Sequence, residues 1–185
     1  PFLNSETNSL NSVFGDVLPL NTKVFSYQAI GGYKTSTYTT TYPAPDYLPT
    51  PGWAGNVTEV GGSDAVWIQL PAGASNLEVF LSGDVPLEDS VITPIETGLN
   101  LISYPYPIEV EVQNLGFTPV LGDKIYLFDN IQGYLTINYT TTYPAPDYTP
   151  TPGWTAPTKK IPIGTGFWYQ TGTAATWTAT RPYAP

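Results

Sequence analysis

Residues 38–47 read Tyr-Thr-Thr-Thr-Tyr-Pro-Ala-Pro-Asp-Tyr, and residues 139–148 read the same. Pro-Thr-Pro-Gly-Trp follows at 49–53 and again at 150–154, so both stretches repeat at an offset of 101 residues. The offset holds outward without a gap: Lys23 maps to Lys124, Gly32-Tyr33 to Gly133-Tyr134, Trp67 to Trp168 and Gln69 to Gln170. A fixed period of this kind constrains the fold more than any single motif, because the chain has to build one supersecondary unit twice. The expected organisation is copy one over 1–84, a linker over 85–97 and copy two over 98–185.

The copies diverge unevenly. Between Tyr38 and Trp53 only Leu48 differs from its counterpart, Thr149. The flanking segments keep mainly their apolar pattern, as cores do when hydrophobes of similar size are exchanged. A loop that stays constant while its scaffold drifts is a candidate for function. The bland account is that a Pro-dense loop has few sequences that fit its backbone.

Alternation and β-branched content predict strands near 23–28, 33–42, 64–70 and 77–82 in copy one. In copy two they predict strands near 99–104, 108–113, 123–128, 133–143, 165–170 and 175–180. Gly-rich turn signals separate them, and no stretch shows a capped helical period. The expected class is all-β: two tandem antiparallel sandwich- or barrel-like domains. The ends of the copies do not match. The strand predicted at Leu99–Tyr104 has no counterpart in copy one, which begins near the equivalent of Pro105. Two readings stay open: a slice of a head-to-tail array, or a sheet that lacks a strand which another subunit supplies. As donor the N-terminal Pro1–Val13 is preferred over Ala175–Pro185, because residues 3–12 are polar and Pro182 and Pro185 cannot donate to a ladder.

Composition narrows the chemistry. The chain has no Cys and no His, which removes disulfides, thiolate sites, and the commonest general base and metal ligand. No cofactor and no metal are expected. The lack of Met fits a chain from which an N-terminal leader has been removed, and points to an extracellular or cell-surface location. Formal net charge is -9 with six cationic residues, against nucleic acid and anionic membrane as partners. Apolar stretches are strand-length, too short to insert in a bilayer.

Paired carboxylates are the remaining catalytic option. Glu109 and Glu111 alternate on one predicted strand, roughly 7 Å apart by strand rise, close to a glycosidase spacing. A solvated strand face explains them better, with Ile108, Val110 and Val112 turned inward. Asp46 and Asp147 are the best acidic candidates for an ion, against a hydrogen bond that shapes the loop. No catalytic residue is therefore assigned.

The ring-rich loops are the candidate contact sites: Tyr42, Pro43, Asp46, Tyr47 and Trp53, with Tyr143, Pro144, Asp147, Tyr148 and Trp154. Their prolines favour polyproline II and lower the entropy cost of display. The rings either grip a neighbouring subunit or a sugar, or fold back to cap their own domain. The tryptophans are expected deeper than the tyrosines. Asn56 and Asn138 begin N-glycosylation sequons.

One resemblance can be stated. The run Gly98-Leu99-Asn100-Leu101-Ile102-Ser103-Tyr104-Pro105, then Asp123 to Asp129, Gly133-Tyr134, Gly153-Trp154 and Ile163 to Tyr169, resembles a β-rich repeat of secreted bacterial proteins. Copy one matches less well, with Ala65-Val66-Trp67 where the pattern has Gly-Phe-Trp. The resemblance implies an extracellular or surface-associated β-fold and no particular activity. Low charge with abundant Thr, Tyr and Pro is similar to extracellular filament subunits. The expected function is a structural subunit of an extracellular filament, fibre or surface layer. Its partners would be copies of itself, joined through β-domain contacts and strand exchange. The alternative is a carbohydrate-binding or adhesive module that uses the Tyr/Trp loops on glycans.

Overall fold

The computed structural model describes residues 2, 3, 8–79, 81, 83–129, 131–143, 146 and 149–183. Its strands in the first copy are β1 (Phe2–Leu3), β2 (Lys23–Gln28), β3 (Gly32–Thr41), β4 (Thr50–Gly55), β5 (Trp67–Gln69) and β6 (Gly83–Asp84), with one helix, α1 (Leu10–Phe14). They continue as β7 (Ser90–Ile95), β8 (Gly98–Ser103), β9 (Val110–Glu111), β10 (Lys124–Asp129), β11 (Gly133–Thr142), β12 (Thr151–Trp154), β13 (Lys160–Ile161), β14 (Gly166–Thr171) and β15 (Ala175–Thr180). All pairings are antiparallel. The first sheet runs β4-β3-β2-β5 and the second β12-β11-β10-β14-β8, beside two-stranded ladders β15-β7, β13-β9 and β1-β6. The chain is all-β in class, as its alternation indicates.

The sequence repeat is matched by a repeat of register. Lys23 opposes Thr37 and Gln69 as Lys124 opposes Asn138 and Gln170. Tyr38 opposes Trp53 as Tyr139 opposes Trp154. Gly32 and Gly133, at φ 68 and 77, take the left-handed turn positions that a Cβ would strain.

Each central strand has two apolar faces, because successive side chains point to opposite sides. Val24 turns one way, into a core with Leu10, Phe14, Leu18 and Val57. Ile125, Leu127 and Ile137 turn the same way into the larger core of copy two, with Tyr106, Leu115, Phe167 and Trp177. Phe25 and Tyr27 point to the other side, as do Tyr126 and Phe128, and there the two copies meet.

Several expectations need correcting. Residues 8–14 do not form a free strand. Ser9 caps α1 by accepting from the Ser12 N–H, and Leu10 and Phe14, four apart, bury one helical face in the first core. Ala175–Thr180 is β15, paired along its length with β7. Neither segment named as a strand donor is therefore spare over its described residues. The stretch read as a linker, 85–97, holds β7, whose Pro94 is tolerated because the strand has one open side among the described residues. The same rule explains β4 and β12, which were expected as loop: both are edge strands and carry Pro51 and Pro152. The described residues of the strand expected over 77–82, namely 77–79 and 81, are not in a strand, and no equivalent of β7 lies beside them among the described residues. The strand expected at 108–113 shortens to β9 and passes into a 3-10 turn, Val112–Asn114.

Candidate functional site

The stems of the repeated loops are built alike. Thr41 Oγ1 donates to the Thr50 carbonyl at 2.9 Å, and Thr142 Oγ1 to that of Thr151 at 2.8 Å. Thr50 and Thr151 each donate to the carbonyl two residues earlier, that of Leu48 and that of Thr149. The first loop does not run as polyproline II, which has no internal hydrogen bonds. It closes into a turn in which the Tyr47 N–H donates to the Pro43 carbonyl at 3.0 Å, with Tyr47 left-handed at φ 51. This turn holds Tyr42, Pro43, Asp46, Tyr47 and Leu48 in solvent, Tyr47 being 66% exposed. Tyr143 is equally open, and Pro144, Asp147 and Tyr148 lie outside the described residues.

The tryptophans turn back from the loops. Trp53 is half-buried, with its ring 6.0 Å from Phe14 and 5.3 Å from Tyr38, and its buried indole N–H has no partner. Trp154 is buried, 5.2 Å from Tyr139. Asn56 is exposed just beyond β4, whereas Asn138 is half-buried within β11. The Glu109–Glu111 pair is used locally: Glu109 is ion-paired to Lys160 at 2.7 Å, and Glu111 accepts from Gln113 at 2.8 Å. Among the described residues no three His, Cys, Asp or Glu side chains cluster as metal ligands.

Where the copies meet, the contacts are reciprocal. Tyr27 and Tyr33 of copy one pack edge-on against Trp168 of copy two, at 5.0 and 6.2 Å. Their counterparts Phe128 and Tyr134 pack against Trp67, the counterpart of Trp168, at 5.0 and 6.4 Å. Residue i meets j and j meets i, the rule of a two-fold contact, here between halves of one chain. Ala65 and Gly166 lie on this quasi-axis. They are equivalent positions that touch each other, and a Cβ on Gly166 would come within 2.6 Å of the Ala65 Cβ. Only one of the two can carry a methyl group, which accounts for Gly166 in one copy where the other has Ala65.

The reciprocal packing leaves two aromatic clefts. One, of about 280 Å³, is lined by Tyr33, Leu99, Tyr126, Tyr134, Trp168 and Gln170. The other, of about 250 Å³, is lined by Phe25, Tyr33, Trp67, Phe128 and Tyr134. Neither lining includes a charged side chain. Tyr33 and Tyr134 line both clefts and remain 61% and 53% exposed. Burial, with the Tyr134 and Tyr27 phenols beside it, raises the Tyr33 hydroxyl above its ordinary pKa. Tyr126 donates to Gln170 Oε1 at 2.6 Å, fixing the wall of the first cleft. Reading the sequence for loops alone misses these clefts. Their signal is the apolar character of consecutive residues in Val24-Phe25 and Ile125-Tyr126-Leu127-Phe128, which requires both faces of a strand to be covered.

The two sheets end differently. β14 is covered by β8 over its whole length, from Gly166 opposite Ser103 to Thr171 opposite Gly98. Among the described residues β5, the equivalent of β14, is hydrogen-bonded on one side only, to β2. The segment ahead of β5 leans instead on β8 of the other sheet: Asp64 bridges Ile102, and the Ser103 N–H donates to the Ser63 carbonyl at 2.9 Å. No family model matches the chain, and neither a curated protein nor a solved structure is similar to it.

Proposed function

We propose that this chain is a structural, non-enzymatic subunit that assembles with copies of itself into an extracellular filament, fibre or surface layer. The observation that carries the reading is the open side of β5. Its equivalent in the second sheet has a six-residue strand along it, and an uncovered row of backbone donors and acceptors recruits strands. The strand suited to such an edge is exemplified within the molecule by β8. Its Asn100 also holds the β7–β8 turn, donating to the Glu96 carbonyl at 2.8 Å and accepting the Glu96 N–H at 2.9 Å. Low charge, absence of Cys and the resemblance to secreted β-repeats support the same reading. A second reading, adhesion to glycans, is favoured by the exposed Tyr42, Tyr47 and Tyr143.

The test uses a peptide with the sequence of residues 96–105. It should bind the chain with one-to-one stoichiometry and shorten or abolish its assemblies, because it occupies the edge that a neighbour would use. A peptide with Asn100 and Leu101 exchanged for Pro should do neither. Assemblies that form undiminished in saturating peptide would contradict the edge as the joint.

A further inference from the structure

We propose that each aromatic cleft is the receptor for the Tyr/Pro-rich loop of a second copy of the chain, so that molecules join head to tail. The inference rests on the self-assembly reading and names a second joint, distinct from the β5 edge.

Geometry makes the contact intermolecular. Tyr33 and the loop flank β3 at opposite ends, and its ten residues span about 30 Å. The loop cannot fold back on the cleft that its own strand builds. A contact between unlike surfaces at opposite ends repeats from copy to copy and generates an open filament wherever its rotation does not close a ring.

Chemistry matches the two surfaces. The clefts offer ring faces, Leu99, an amide and phenol hydroxyls, and no charge. The loop offers Tyr42, Pro43, Pro45, Tyr47, Leu48 and Pro49 with Asp46 as its single charge, all exposed. Prolines bring no backbone N–H to be buried unpaired, and their carbonyls suit the donor hydroxyls of Tyr33 and Tyr134. A turn already closed by Tyr47 loses little entropy on docking. The net charge of -9 works against any joint between copies that brings charged surfaces together, and both of these surfaces are nearly neutral.

Valence matches as well. The chain has two clefts built around equivalent residues, and two loops that differ between Tyr38 and Trp53 only at Leu48 and Thr149. Equivalent receptors require equivalent ligands. That gives the loops a reason to stay alike while the strands beneath them drift.

The test is fluorescence anisotropy of a labelled, end-cyclised peptide spanning Thr41–Pro51, titrated with the full chain. Binding should saturate, and should weaken about tenfold when Tyr33→Ala and Tyr134→Ala remove the shared rings, the scale expected for lost ring contacts. Both residues are more than half exposed, and circular dichroism of the variant checks that its fold is kept. Tyr33→Phe with Tyr134→Phe should retain most of the affinity, and a Tyr47→Ser peptide should lose it. Cellohexaose and chitohexaose serve as probes of the other occupant. If either saturates the clefts and the peptide does not, the clefts are glycan sites and the proposal is overturned. A chain that self-associates while the peptide fails to bind overturns loop docking and leaves self-assembly standing. A chain that stays monomeric at every concentration overturns both.

Discussion

Thr22 and Asp123 occupy the same turn of the two copies and solve it in different ways. In each, the backbone N–H donates to the carbonyl three residues earlier, Pro19 or Val120. Thr22 then donates its hydroxyl to Pro19 at 2.7 Å, and the turn is complete. Asp123 instead accepts from the Val120 N–H at 2.9 Å and from the Tyr169 hydroxyl at 2.5 Å, tying the turn to β14. The counterpart of Tyr169 is Ile68, which is 41% exposed. The copies thus share a hydrogen-bond frame and differ in how completely it is enclosed. Copy two covers β14 with β8, stacks Phe117 on Tyr169 at 4.1 Å and buries Trp177. Among the described residues, copy one does none of this around β5. The second copy encloses its β14, and the first leaves the far side of β5 uncovered among the described residues.

The largest break in this comparison should come from Trp177. Its ring stacks on Phe117, and its indole N–H donates to the Leu115 carbonyl at 2.7 Å. Trp177→Ala should cost about 4 kcal/mol in urea unfolding, the range for a buried large aromatic. The equivalent residue, Asn76, is exposed, and Asn76→Ala should change stability by less than about 0.5 kcal/mol. Similar costs at both sites would contradict the asymmetry.

Much of the frame was legible in the sequence, because strand positions follow from the alternation and their equivalence between copies from the 101-residue offset. The central hairpins, β14 and β15 fall where alternation places them, within a residue or two. What was not legible depends on partners. Leu77 and Val79 were read as strand, yet lie outside any strand among the described residues; the stretches that hold Pro51, Pro94 and Pro152 were read as loop or linker, yet each is a strand with one side open among the described residues. Tyr42, Pro43, Asp46, Tyr47 and Tyr143 of the loops are exposed while Trp53 and Trp154 turn inward on strands, and the clefts were not anticipated. No single motif encodes them; they arise when Tyr33 and Tyr134 from distant strands converge.

A smaller effect tests the Asp123 tie. Asp123→Thr should cost about 2 kcal/mol, since it leaves the Tyr169 hydroxyl and the Val120 N–H without their acceptor. In a Tyr169→Phe background the cost should fall by about 1 kcal/mol, the coupling expected of residues in one network. Additive costs in the double-mutant cycle would dissolve the tie.

The smallest effect is alkaline. Burial, then the hydrogen bond to Asp123 and its charge, pushes the Tyr169 phenol far above its ordinary pKa. Burial likewise raises Tyr104 and Tyr106, helped by neighbouring phenols. The folded chain keeps these protons while the unfolded chain releases them near pH 10, so their contribution is complete below about pH 10 and is lost above it. Thermal melts should be level below that point and fall beyond it. Tyr169→Phe should flatten the fall, and a fall unchanged by that substitution would assign it to other groups.

The most direct test of the unequal copies as a basis for assembly is sedimentation velocity of the full chain from micromolar to millimolar concentration. The account predicts species that grow beyond the 20.1 kDa monomer as concentration rises, and that revert toward monomer when the peptide of residues 96–105 fills the open side of β5. A single 20.1 kDa species at every concentration, indifferent to the peptide, would contradict it.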